Sequence, residues 1–166
     1  MYQSIPYQSK SDDKKRHYSE VMDRVKALIT NEDDWVSAMA TVVCELHHSF
    51  DYYHWTGFYR VVSNQVLKIG PYQGGHGCLM IPFSKGVCGA AAKNKSTQMV
   101  DDVNAFPGHI ACAASTQSEI VVPILNSQGE TVAVFDVDSD LPKAFCSADQ
   151  GGLEELAKVL SRQFFS

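Results

Sequence analysis

Hydrophobic residues recur at helical intervals near both ends of the chain and at strand intervals between them. Val21, Val25 and Leu28 share one face of the segment His17 to Ile29, at the three- and four-residue spacing of an amphipathic helix. Trp35, Met39, Val42, Leu46 and Phe50 repeat that pattern. The acidic residues before Trp35 suit a helix start, where unpaired N–H groups favour negative charge. Beyond Phe50 the apolar runs shorten: Trp55–Val62, Val66–Ile69, Thr97–Val100, Ile120–Leu125 and Thr131–Val137 are predicted strands. Asn126-Ser127-Gln128-Gly129 separates the last two as a hairpin loop. Three consecutive alanines predict a short helix over Val87–Lys93. Ser147-Ala148-Asp149-Gln150 has a capping-box pattern, and Leu153, Leu156, Leu160 and Phe164 then line one face of a closing helix.

Two helices, a run of strands with irregular connections and a final helix do not alternate as a doubly wound parallel sheet requires. The order predicts an α+β domain, a mainly antiparallel sheet packed by its terminal helices. The 166 residues suit one domain, taken as residues 17–166, with residues 1–16 as a flexible N-terminal arm. At 45% hydrophobic and 20% charged residues the chain can bury an ordinary core. Its net charge of −5 argues against nucleic acid as the main partner. No stretch approaches the ~18 apolar residues of a membrane span, and the start lacks a signal-peptide core, so a cytoplasmic protein is expected.

Chemistry concentrates between Gly70 and Ala113, a stretch dense in Gly, Pro, His and Cys and expected to be mostly long loops. Its glycines lack both the Lys-Ser/Thr ending of a phosphate loop and the dinucleotide spacing. Five cysteines, an odd number, do not suggest a structural disulfide framework. Cys44 lies in a predicted helix and Cys146 just before another, so both are assigned to structure, and His47-His48 to a helix surface. Three readings remain for Cys78, Cys88 and Cys112. They could be buried small hydrophobes. His76-x-Cys78 and His109-x-x-Cys112 could hold zinc tetrahedrally. Or Cys112 could be a redox nucleophile resolved by Cys78 or Cys88, through a sulfenic acid that condenses to a disulfide.

The acidic residues bear on that choice. Val132, Val134, Asp136 and Asp138 alternate onto one face of their strand, and Glu119 opens a neighbouring one. Clustered buried carboxylates repel, so one tends to keep its proton and can hydrogen-bond a polar oxygen while another binds an ammonium. Trp55 and Tyr59 in "WTGFY" share a face, and Gly57 between them leaves room for a ligand.

Taken in series, "WTGFY", "GPYQG", "KGVCG", "FPGHIAC", "SEIVVPI" and "VFDVDS" resemble the free methionine-(R)-sulfoxide reductase family, stand-alone GAF-domain enzymes, over roughly Trp35 to Leu160. The resemblance implies a GAF fold, a homodimer, and reduction of the R-sulfoxide of the free amino acid without a cofactor or metal, with thioredoxin as reductant. It makes Cys112 the attacking thiol, Cys78 the resolving thiol and Cys88 a third redox cysteine able to relay the disulfide. Glu119, Asp136 and Asp138 become the acidic cluster of the substrate pocket, and Trp55 and Tyr59 the aromatic wall around the substrate methyl. At one position the chain departs from the family: Ala113 stands where an aspartate usually follows the catalytic cysteine. The competing reading is a GAF small-molecule sensor without catalysis, which the absence of residues for an output domain disfavours.

Overall fold

The computed structural model describes residues 3–110 and 112–166; residues 1 and 2 of the expected arm, and Ala111 in the "FPGHIAC" stretch, lie outside it. Six antiparallel strands form one sheet in the order β3-β2-β1-β6-β5-β4. They are β1 (Trp55–Ser63), β2 (Val66–Gln73), β3 (Met80–Pro82), β4 (Gln98–Val100), β5 (Ser118–Leu125) and β6 (Thr131–Ser139). Helices α1 (Ser11–Ile29), α2 (Trp35–Ser49) and α4 (Ser147–Phe164) cover one face, and α3 (Gly86–Asn94) lies on the other. The α+β architecture expected from the order of elements is thus observed.

Strand alternation divides the interior in two. Phe58, Ile120, Val122, Ile124, Phe135 and Val137 point toward α1, α2 and α4 and form the main core. Trp55, Tyr59, Val121 and Val134 point the other way, toward Cys88, Ala91 and Ala92 of α3. Val132 packs with the main core and not beside Val134, because the β5–β6 register shifts between Ile124 and Leu125.

Several boundaries differ from expectation. Helix α1 begins at Ser11, inside the stretch expected to be an arm. Its early start places Lys14 in the interior, where the ammonium meets Asp149 at 3.0 Å and lies 4.4 Å from the Tyr52 ring centre. Leu28 is 58% exposed; the buried stripe runs through Val21, Val25 and Ile29, a regular four-residue step. Cys146, not Ser147, caps α4, since Asp149 Oδ2 accepts the Cys146 N–H at 2.8 Å. The Gly70–Ala113 stretch is more ordered than expected, holding the end of β2, β3, α3, β4 and a 3-10 turn at Val103–Ala105.

Candidate active site

The sheet register assembles the acids. Glu119 on β5 is paired across from Asp138 on β6, and Val121 from Asp136. On the other side of β6, Trp55 is paired with Asp138 and Gly57 with Asp136. All these positions face α3, so three carboxyls and one indole meet at the same end of the sheet. Glu119 and Asp136 are 6% and 5% exposed, with no ion pair to a lysine or arginine among the described residues. Burial raises the Asp136 carboxyl from an ordinary 3.8 to about 7, and the thiol of Cys88 holds it from rising further by donating to Oδ2 at 3.2 Å. Burial, then the charges of Asp136 and Asp138, push Glu119 well above the usual carboxylate range. Burial, followed by Asp136 and Asp140, does the same to Asp138. The cluster therefore carries protons near neutral pH and is short of a cation.

Cys88 enters from α3, whose N-terminal turn rests against the sheet. Its sulfur lies 3.2 Å from Asp136 Oδ2 and 3.9 Å from Glu119 Oε1. Burial and then the Asp136 charge push this thiol up, so it stays protonated.

Two loops bring in the other sulfurs. After β2 the chain turns at Gly74, where φ is +108° and a Cβ would fall 2.6 Å from the His54 carbonyl, a position open only to glycine. Trp55 Nε1 donates to Gly75 O at 2.8 Å and pins this loop to β1. The second loop bends at Pro107-Gly108 with Gly108 at φ +73°, and Gly86 N–H donates to Gly108 O at 3.0 Å, tying it to the start of α3. Cys78 and Cys112, 34 residues apart, are joined by a disulfide with their Cα atoms 5.2 Å apart. That bond occupies both sulfurs, so in this form they do not serve the zinc arrangement considered for them with His76 and His109.

Cys112 lines a cavity of about 30 Å³, walled by Trp55, Tyr59, Cys88 and the three acids. His76, His109, Ala113 and Thr116 complete its rim. At ~10–15 Å³ per water this space holds about two or three waters. The aromatic wall is deeper than expected. Trp55 stacks between Tyr59 (centroids 5.8 Å) and Tyr72 (5.3 Å). The space beside Gly57 is not left for a ligand: a Cβ there would sit 2.5 Å from Tyr72 Cβ and 2.6 Å from the Trp55 ring. The glycine lets these rings stack. Burial, then Asp136, keeps the Tyr59 phenol protonated as a donor.

Seven of the eight candidate residues thus line one cavity, and the eighth, Cys78, closes it through the disulfide. Tyr72, Ile110 and Thr116 were missed as contributors. Tyr72 could have been found as the cross-strand partner of Gly57; Ile110 and Thr116 sit in a loop without periodicity. Cys44 is half-buried on α2, Cys146 is the α4 cap, and His47 Nδ1 lies 3.1 Å from Thr56 Oγ1 in a half-buried contact.

A curled antiparallel sheet with helices on one face and a small acidic and aromatic niche on the other suits a GAF domain, and the GAF domain family model matches residues 30–162. The thiol pair and acidic cluster narrow the class. The free methionine-R-sulfoxide reductase of Saccharomyces cerevisiae is 40% identical over 143 residues, 82% of this chain and 79% of the yeast protein. That of Escherichia coli is 33% identical over 149 residues, 90% of this chain and 89% of the relative. Among solved structures, the free methionine-R-sulfoxide reductase from Neisseria meningitidis in complex with its substrate superposes with a TM-score of 0.87 at 38% identity, covering 99% of this chain and 96% of that one. The chain belongs to the free methionine-R-sulfoxide reductase family of GAF domains.

Proposed function

We propose that the protein reduces free L-methionine-(R)-sulfoxide to methionine with its own thiols. The observation that carries this reading is the Cys78–Cys112 disulfide, whose Cys112 side opens onto a niche holding three buried carboxyls. In the reduced protein the Cys112 thiolate attacks the sulfoxide sulfur. Glu119, which retains its proton, hydrogen-bonds the oxygen and supplies that proton as the S–O bond breaks. The oxygen then transfers from the substrate sulfur to Cys112 as the transient Cys112–substrate sulfur bond breaks, so methionine leaves and Cys112 holds a sulfenic acid. The Cys78 thiol then attacks that sulfur, water departs, and the disulfide forms. Asp136 and Asp138 provide the charge for the substrate ammonium, and Trp55 with Tyr59 packs the methyl. Cys88, protonated and donating to Asp136, is better suited to holding this acid than to relaying a disulfide, which requires a thiolate.

The proposal includes thioredoxin as the dithiol that returns two electrons, a homodimer, and a cytoplasmic setting. Thioredoxin and the homodimer rest on the family resemblance, and the cytoplasmic setting on the sequence reading; no helix of the described residues is long and apolar enough to cross a membrane. The test compares free methionine-(R)-sulfoxide with its N-acetyl form in a thioredoxin-coupled assay. Losing a charge-assisted contact to a buried acid costs about 3 kcal/mol, so kcat/KM should fall about 10²-fold on acetylation. Equal rates on both substrates would remove the acidic grip from the reading.

A further inference from the structure

The cluster of Cys88, Glu119 and Asp136 has a second use. We propose that it binds one zinc-class divalent cation, at a site separate from the redox sulfurs, and that occupancy blocks the acidic end of the pocket. Sulfur-to-oxygen distances are 3.2 Å to Asp136 Oδ2 and 3.9 Å to Glu119 Oε1. The three donor atoms all lie within 4.8 Å of one another. A tetrahedral zinc with Zn–S of about 2.3 Å and Zn–O of about 2.0–2.2 Å places S and O about 3.5 Å apart, between the two observed values. The donors need little movement to close on an ion.

A second observation points to a missing ligand. Asp136, 5% exposed, has its Oδ1 buried without a hydrogen-bond partner, and its side chain lines the cavity. The cavity supplies room for a water as fourth ligand. One thiolate with two carboxylates selects zinc or cobalt over magnesium and calcium, which prefer oxygen alone. Binding releases to solvent the protons that Cys88 and Glu119 hold in the empty site and forms sulfur–metal and carboxylate–metal bonds, with no change in oxidation state. The inhibitory consequence rests on the function proposed above, because the ion holds the acids assigned there to the substrate. Metal binding itself does not depend on it.

The Cys78→Ser/Cys112→Ser variant tests the site, because it cannot form the disulfide and leaves Cys88 as the pocket's remaining thiol. Titrated with Co²⁺, it should show near-ultraviolet thiolate-to-cobalt charge transfer and visible tetrahedral bands saturating at one equivalent, and excess Zn²⁺ should bleach both. Adding Cys88→Ala should abolish the charge-transfer band. Adding Asp136→Asn should weaken binding at least tenfold while circular dichroism shows the fold unchanged. No charge-transfer band in the double variant, or a band that survives Cys88→Ala through Cys44 or Cys146, overturns the proposal. These spectra do not require sulfoxide turnover, so the metal site and the enzymatic reading fail separately.

Discussion

Replacing Asp136 with Asn should stabilise the unliganded protein while disabling its pocket. The carboxyl titrates near 7 in the fold against an ordinary 3.8, chiefly because burial disfavours its charge. A raised folded-state pKa means that the native protein binds more protons than the unfolded chain across this interval. Stability is then greatest below about 4 and declines as pH rises to about 7. Each pH unit is worth about 1.4 kcal/mol. Between pH 5 and pH 8 the parent should lose a ceiling of about 3 kcal/mol that the amide does not, or about 2 kcal/mol after structural relaxation. For a chain of this length that widens the Tm difference by about 4–8 °C. Calorimetry of both proteins in the disulfide form, without ligand, at the two pH values reads it directly. A Tm difference that is the same at pH 5 and pH 8, or a variant less stable than the parent at pH 8, would refute the argument that this site stores an uncompensated acid.

The remaining expectations concern the thiols and the scaffold. Cys112→Ser should abolish sulfoxide reduction, whereas Cys78→Ser should release about one methionine per protein and stall as a sulfenic acid, which intact mass spectrometry of the dimedone adduct would show. Lys14→Met leaves Asp149 without its ammonium in a fully buried setting and should cost about 3 kcal/mol in urea unfolding; a loss under about 1 kcal/mol would mean that the Tyr18 and Tyr52 hydroxyls suffice. Gly89→Ala puts a Cβ 2.6 Å from the Pro82 carbonyl, a backbone atom that cannot rotate away. It should push α3 outward and destabilise by about 1–3 kcal/mol, with kcat falling as Cys88 leaves Asp136.

Where side-chain periodicity was regular, the sequence was informative. The alternation in "VFDVDS" put both aspartates on one strand face, and register then set Glu119 against Asp138. Helix α2 followed from its apolar stripe, and all five predicted strands were found within a few residues. Pairing beyond local periodicity was less legible. Lys14 looked like part of a charged tail because its partner, Asp149, lies at the other end of the chain. Strand β3, three residues long, is too short to display a period. Gly57 suggested an opening because the stacking of Trp55 on Tyr72 depends on the β1–β2 register, including its shift between Gly57 and Tyr59. The sulfur pairing was available only through the family resemblance, since nothing local to "GHGC" or "HIAC" says that the two loops meet.

The bond between Cys78 and Cys112 leaves the attacking sulfur already spent. A molecule in this form cannot act on the metabolite it consumes. Electrons must arrive before the next sulfoxide can react, which forces the two half-reactions to alternate and predicts parallel double-reciprocal lines when both reactants are varied. Supply of reductant would set the pace when oxidant is plentiful.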